Sequence, residues 1–222
     1  MNSARFFIVI FISSIFIPLM HSSENSTKIL FMWAFMRQKT NGIVDLVDFN
    51  KEARFEKGDT FKIIIKPENS CYIYLFNLGI SNDLSLVFPD DSEIKPISGK
   101  TYIIPEDTNS WISFENTHGT DKFFLLASST KLVKLDKFIK EYLKYCDEPK
   151  VEIEKINTTR KNVLDEIQNL RNSFSKNTNY AEKPTSIAGT SRKIPGDDNG
   201  SKNSVISVEA DKFYAKTLRI QH

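Results

Sequence analysis

Eight short apolar runs, all but the last ended within a few residues by Gly, Pro, Asn or Asp, follow one another between residues 28 and 128. A chain punctuated this way has little room for long helices there. Short strands joined by tight turns are the pattern of a β-sandwich or barrel. The runs are Lys28–Arg37, Ile43–Val47, Thr60–Lys66, Cys71–Leu78, Leu84–Phe88, Tyr102–Ile104, Trp111–Phe114 and Lys122–Ala127. Thr60–Lys66 alternates, with Phe61, Ile63 and Ile65 on one face and Thr60, Lys62 and Lys66 on the other. Lys28–Arg37 and Cys71–Leu78 are apolar on both faces, which suits strands covered on both sides. Phe61, Ile63, Ile73, Leu75 and Phe123 are therefore expected in the core.

After residue 130 the period changes. In Lys131–Tyr145, Leu132, Leu135, Phe138, Ile139, Tyr142 and Leu143 recur at helical spacing, with five Lys between them opposed by Asp136 and Glu141. The lysines read as the solvated face of a helix packed on the sheet. Beyond Pro149, the series Ile153, Ile156, Arg160, Val163, Ile167, Leu170 and Phe174 predicts a second helix with a short heptad seam broken by Arg160. Asn157-Thr158-Thr159 within it has the composition of a cap. Residues 175–203 are rich in Ser, Asn, Lys, Gly and Pro and read as a flexible linker. The apolar pattern returns in Ser204–Val208 and Lys212–Ile220. Strands there need backbone partners, and the edge of the main domain is the expected place. The expected fold is mainly β and sandwich-like over 28–128, with a helical segment over 130–174, the linker, and a returning strand or hairpin over 204–222.

The N-terminus has the organisation of an export signal over residues 1–22. Arg5 supplies a positive n-region, and Phe6–Met20 is an apolar run broken only by Ser13, Ser14 and Pro18. Fifteen residues fall short of the roughly 20 that a spanning helix requires. A cleavable signal is thus the expectation, with the mature chain starting between His21 and Asn25. An uncleaved N-terminal anchor is the alternative. The mature chain has no second run long enough to span a bilayer, so a periplasmic or extracellular location follows.

The residues that carry chemistry are sparse. Formal net charge is +2 over 222 residues, which gives no field for a nucleic-acid backbone. Cys71 and Cys146 could form a disulfide in an oxidising compartment or stand as two separate thiols. Neither belongs to a C-x-x-C pair, so no zinc or thioredoxin-like site is expected. Of three His, His21 lies at the cleavage region and His222 is the last residue, leaving His118 in a loop beside Gly119. No nucleophile elbow accompanies it, so no triad is expected. Ser98-Gly99-Lys100-Thr101 resembles the end of a phosphate-binding loop, but Ile94 stands where its first Gly is required. Trp111 is a candidate ligand contact, as a sugar-stacking aromatic, or a core residue opening a strand. No catalytic residue, metal site or cofactor is expected.

One ordered set of motifs resembles a known family. It runs Phe55-x-x-Gly58-Asp59-x-Phe61-x-Ile63, then Tyr72-Ile73-Tyr74-Leu75-Phe76-Asn77, Val87-Phe88-Pro89, Gly99-x-x-Tyr102-x-Ile104-Pro105, and finally Gly119, Phe123 and Ala127-Ser128. Over roughly residues 45–128 this is similar to the bacterial domain of unknown function 4384. The resemblance implies a β-sandwich-like module of exported or envelope-associated proteins, with no activity assigned to it. The expected function is a non-catalytic protein-interaction module of the bacterial envelope, with another envelope protein as partner. A carbohydrate-binding module, resting on Trp111 and the Tyr-rich strand at 72–74, and an exported hydrolase with a dispersed carboxylate site are the alternatives.

Overall fold

The computed structural model describes residues 28–92, 95–114, 118–174, 178–185 and 205–222. The expected export signal, Ile94, and residues 175–177 and 186–203 of the expected linker lie outside them. The elements are β1 (Ile29–Gln38), β2 (Val44–Leu46), β3 (Ala53–Arg54), β4 (Thr60–Pro67), β5 (Tyr72–Leu78), β6 (Leu84–Phe88), β7 (Tyr102–Ile104), β8 (Ile112–Ser113) and β9 (Thr120–Ser128). They are followed by α1 (Val133–Asp147), α2 (Ile153–Phe174), β10 (Tyr180–Thr185), β11 (Val205–Ala210) and β12 (Phe213–Gln221). The first sheet has the order β10-β11-β1-β4-β7, with β2 beside β1 and β8 beside β4. The second has the order β3-β12-β9-β5-β6. The fold is mainly β, a two-sheet sandwich with two helices, as the strand spacing and the change of period imply.

Alternation along the strands decides what lies between the sheets. Phe31, Trp33 and Phe35 of β1, Phe61, Ile63 and Ile65 of β4, Ile73 and Leu75 of β5, Phe123 and Leu125 of β9, and Leu218 and Ile220 of β12 form one buried cluster. Phe35 sits at its centre, with Phe61 stacked at 5.9 Å and Phe123 edge-on at 5.1 Å. The opposite faces of β5, β9 and β12 carry Tyr74, Phe76, Leu126 and Phe213, which form a second cluster with Leu135, Ile139 and Tyr142 of α1 and Val163 and Ile167 of α2. The architecture is therefore three layers: sheet, sheet, helix pair. This explains why β5 is apolar on both faces: it is the wall between two cores. Tyr142 ties the layers by donating its hydroxyl to the Leu84 carbonyl at 2.8 Å.

The helices differ from the sequence reading in one place. Asn157-Thr158-Thr159 is interior to α2 and is not a cap. Thr159 satisfies its hydroxyl by donating to the carbonyls of Lys155 and Ile156, at 2.9 and 3.2 Å, so it remains in the helix without competing for its start. The heptad seam packs on the second sheet and on α1, with Val163 and Ile167 buried there.

Two further differences concern the C-terminal third. Tyr180–Thr185, inside the stretch read as linker, is a strand that pairs antiparallel with β11 at the rim of the first sheet. It is mostly exposed and contains Pro184, and both properties are tolerated at a sheet edge and both mimic linker composition. Glu182 anchors it: Tyr214 donates its hydroxyl to Glu182 Oε1 at 2.8 Å, and Lys216 pairs with Oε2. Burial first, and the Glu182 carboxylate second, hold the Tyr214 phenol far above its ordinary range. The second difference is that β11 and β12 form no hairpin. β11 lies between β10 and β1, β12 lies between β3 and β9, and the chain changes sheets at Asp211-Lys212.

The disulfide reading is also corrected: Cys71 and Cys146 are both free. Cys71 is buried in the core between the sheets, whereas Cys146 is exposed near the end of α1, on the far side of the second sheet. A sheet stands between the two sulfurs, so they do not reach bonding distance. Burial pushes the Cys71 thiol up to about 12. In native protein, one thiol equivalent is expected to react quickly with an aromatic disulfide reagent at pH 8, and the second only on unfolding. Two fast equivalents, or none, would contradict this placement.

Candidate functional site

Three neighbouring strands of the second sheet change character at the same end. The inward-facing rows of β5 and β9 reach Asn77 and Asp121 at this end, and His222 follows directly on β12 beside them. Asn77 donates its side-chain amide to Asp121 Oδ2 at 3.0 Å, and His222 Nε2 lies 3.2 Å from Asp121 Oδ1. The imidazole stacks flat on Phe114, with centroids 4.1 Å apart and planes 7° apart. The His222 and Gly119 backbones exchange two hydrogen bonds, at 2.6 and 3.1 Å. The His222 side chain is only 5% exposed. Around this chain opens a cleft of about 460 Å³, floored by Phe61, Ile112 and Phe123 and rimmed by Ser81, Asp83 and Ser85.

The rim depends on a glycine. A Cβ built on Gly119 would lie 1.9 Å from Ile80 Cδ1, because the turn after β5 rests directly on that backbone. Gly58 is required for a different reason. Its φ is +90° and a Cβ would meet Thr40 Cγ2 at 2.7 Å. Asp59 beside it closes the turn by accepting the Glu56 amide at 3.0 Å.

A second concavity of about 530 Å³ runs beside β7. Phe88, Pro89, Pro96, Tyr102 and Pro105 give it apolar walls, while Asp90, Asp91, Lys100 and Glu106 surround it with charge. Phe88 and Tyr102 meet edge-on at 5.0 Å. Among the described residues, β7 is the last strand on its side of the first sheet and pairs with β4 alone. Its outer edge therefore carries backbone donors and acceptors with no strand of the described residues beside them. Ile103 stands 39% exposed on it.

The residues singled out from the sequence fall elsewhere. Trp111 is half-buried, and the Lys62 ammonium lies 5.0 Å from its ring centroid. Lys62 is itself only 4% exposed and donates to the carbonyls of Asp107 and Thr108 at 3.2 and 2.7 Å. Trp111 thus covers a buried cation on the outer side of the first sheet. Tyr74 is buried beneath the helices, where the Tyr74 hydroxyl, raised by burial and then by Asp136, sits far above its ordinary range. The aromatics proposed for sugar stacking do not share a surface. His118 is exposed in its loop. Among the described residues, no group of three His, Cys, Asp or Glu is placed to hold a metal ion. No helix among them is long and apolar enough to cross a membrane.

The sequence reading missed His222 and Asp121. The signal was present: extending the inward rows of β9 and β12 by one alternation places both in the mouth of the core.

Taken together, the chain is a β-sandwich with a helical layer on one face and concavities at the end and edge of the sandwich. Residues 54–131, from the end of β3 to the approach to α1, match the family model described as "Domain of unknown function (DUF4384)". No curated protein and no solved structure matches the chain. The matched segment supplies β4 to β9 but not β1, β11 or β12. Its own strands therefore depend on flanking chain for their neighbours in both sheets.

Proposed function

We propose that this protein is an exported, non-catalytic interaction domain of the bacterial cell envelope, and that it takes an extended segment of a partner protein along β7. The observation that carries this reading is the groove at that strand. An unpaired strand edge beside apolar walls offers main-chain hydrogen bonds for affinity and pockets for alternate side chains. The groove is built wholly from residues 88–106, inside the family segment, so the module would bring it wherever it occurs. The leader-like residues 1–22 support export.

A non-catalytic role is supported by the state of His222. Its ring is stacked, buried and bonded to Asp121, which suits a clasp between strands better than a group that must approach a substrate. The hydrolase alternative would draw on the carboxylates of the end cleft, Asp83 and Asp121, or on Asp90, Asp91 and Glu106 around the β7 groove.

The test is photocrosslinking in intact cells, with a benzophenone side chain at position 103 and, as control, at position 133. Val133 is 70% exposed on α1, outside the β7 groove. A discrete adduct at 103, absent at 133 and lost when Tyr102→Ala and Lys100→Glu are added, is expected. Identical adducts at both positions, or none at 103, would sink the reading.

A further inference from the structure

On the outer face of the second sheet, beside the C-terminal half of α2, lies a concavity of about 330 Å³ that no part of the interaction reading uses. Lys122 of β9, Arg219 of β12 and Arg171 of α2 line it, with Gln168 and Thr217, over an apolar floor that includes Phe124 and Leu164. No acidic residue is among those lining it. Lys122 and Arg219 are direct cross-strand partners. Like charges placed opposite each other in an antiparallel pair cost stability, and Arg171 adds a third.

Several cations elsewhere in the chain have acidic partners. Arg37 and Lys39 share Asp45, Lys66 pairs with Glu68, Lys134 with Glu166 and Lys216 with Glu182. Among the described residues, no ion pair engages Lys122, Arg171 or Arg219. An independent observation points to the same place: Thr217 Oγ1 is buried and lacks a hydrogen-bond partner among the described residues. A hydroxyl donor without an acceptor and three cations without an anion are complementary to one missing group, a tetrahedral oxyanion. Local conflicts of this kind concentrate at binding sites, where the ligand resolves them.

We propose that this concavity binds a phosphate group, and that the apolar floor favours a phosphomonoester over free phosphate. Arg219 and Arg171 would grip its oxygens as forks, Lys122 would act as a point charge, and the Thr217 hydroxyl would donate to it. The ester substituent would lie over Phe124 and Leu164. The residues belong partly to α2 and β12, outside the family segment, so the site is a property of this chain rather than of the module.

The experiment is calorimetric and amide-NMR titration of the full mature chain at constant ionic strength, with inorganic phosphate, with phenyl phosphate and with phosphatidic acid vesicles. Saturable binding that perturbs residues 122, 168, 171, 217 and 219 is expected, tighter for phenyl phosphate than for phosphate. Lys122→Gln and Arg219→Gln should each weaken it about tenfold, and Arg54→Gln, on an exposed arginine paired with Glu52, should leave it unchanged. Vesicle binding lost in the same variants would identify the source as a lipid headgroup. Binding of soluble monoester without vesicle binding would identify a free metabolite-type ester. Thermal melts give an arm independent of the probe. Arg219→Gln should melt slightly higher than the native chain without phosphate, yet gain less on its addition. No saturable binding by phosphate or phenyl phosphate, an unchanged affinity in both pocket variants, or equal weakening by Arg54→Gln would overturn the proposal.

Discussion

Removal of residues 205–222 is expected to abolish the folded state. The segment supplies β11, which stands between β10 and β1 in the first sheet, and β12, which stands between β3 and β9 in the second. Its Val205, Val208, Ala210, Phe213, Tyr214, Leu218 and Ile220 are all buried. Phe213 belongs to the core under the helices, and Tyr214, Leu218 and Ile220 belong to the core between the sheets. Burying a large apolar side chain contributes roughly 1.5–3 kcal/mol. Ala210 aside, six such side chains together contribute roughly 9–18 kcal/mol, as much as the whole net stability of a domain, about 5–15 kcal/mol. The truncated chain should lose its cooperative melt, bind a dye specific for exposed apolar surface and be degraded by trace protease. A cooperative transition within a few degrees of the full chain would refute the placement of both strands. Cleavage between residues 186 and 204 should, in contrast, leave two fragments that co-elute, because β11 and β12 each lie between two sheet neighbours.

The second large effect is expected at Phe61. Its ring meets four others: Phe35 at 5.9 Å, Phe55 at 5.9 Å, Phe114 at 5.0 Å and Phe123 at 5.9 Å. Through Phe114 it also supports the stacked His222. Phe61→Ala should cost about 3–5 kcal/mol, because the rings around the vacated volume are held by their own strands and cannot collapse into it. For a chain of this size the melting temperature should fall by about 10 °C. The loss should also loosen the end cleft, visible as faster hydrogen exchange at the Gly119 and His222 amides. A loss below about 1 kcal/mol would mean that β4 faces the other way.

Phe61 also illustrates what was legible in advance. The alternation of Thr60–Lys66 identified its inward face, and Phe61, Ile63, Ile73, Leu75 and Phe123 are all buried. The two-sided apolar character of Cys71–Leu78 anticipated a strand covered on both faces, and the helical spacing of Leu135, Ile139 and Tyr142 anticipated the covering layer. The linker was misread in part because Tyr180–Thr185 has the polar, Pro-containing composition that an edge strand and a linker share. The cysteines were ambiguous because sequence separation says nothing about which side of a sheet a sulfur occupies.

The division follows from the range of the interactions involved. Strand and helix periods, turn glycines such as Gly58 and the apolar core are set by side chains within a few positions of one another. The amino-acid order alone therefore determined a β-rich domain with two helices and a returning C-terminus. Which sheet each returning strand enters depended on register between distant segments. So did the meeting of Asn77, Asp121 and His222 at one end of the core, and of Lys122, Arg171 and Arg219 under α2. Those juxtapositions join residues up to 145 positions apart. Only the closed sandwich, with its helices laid on one face, brings such partners within reach of one another.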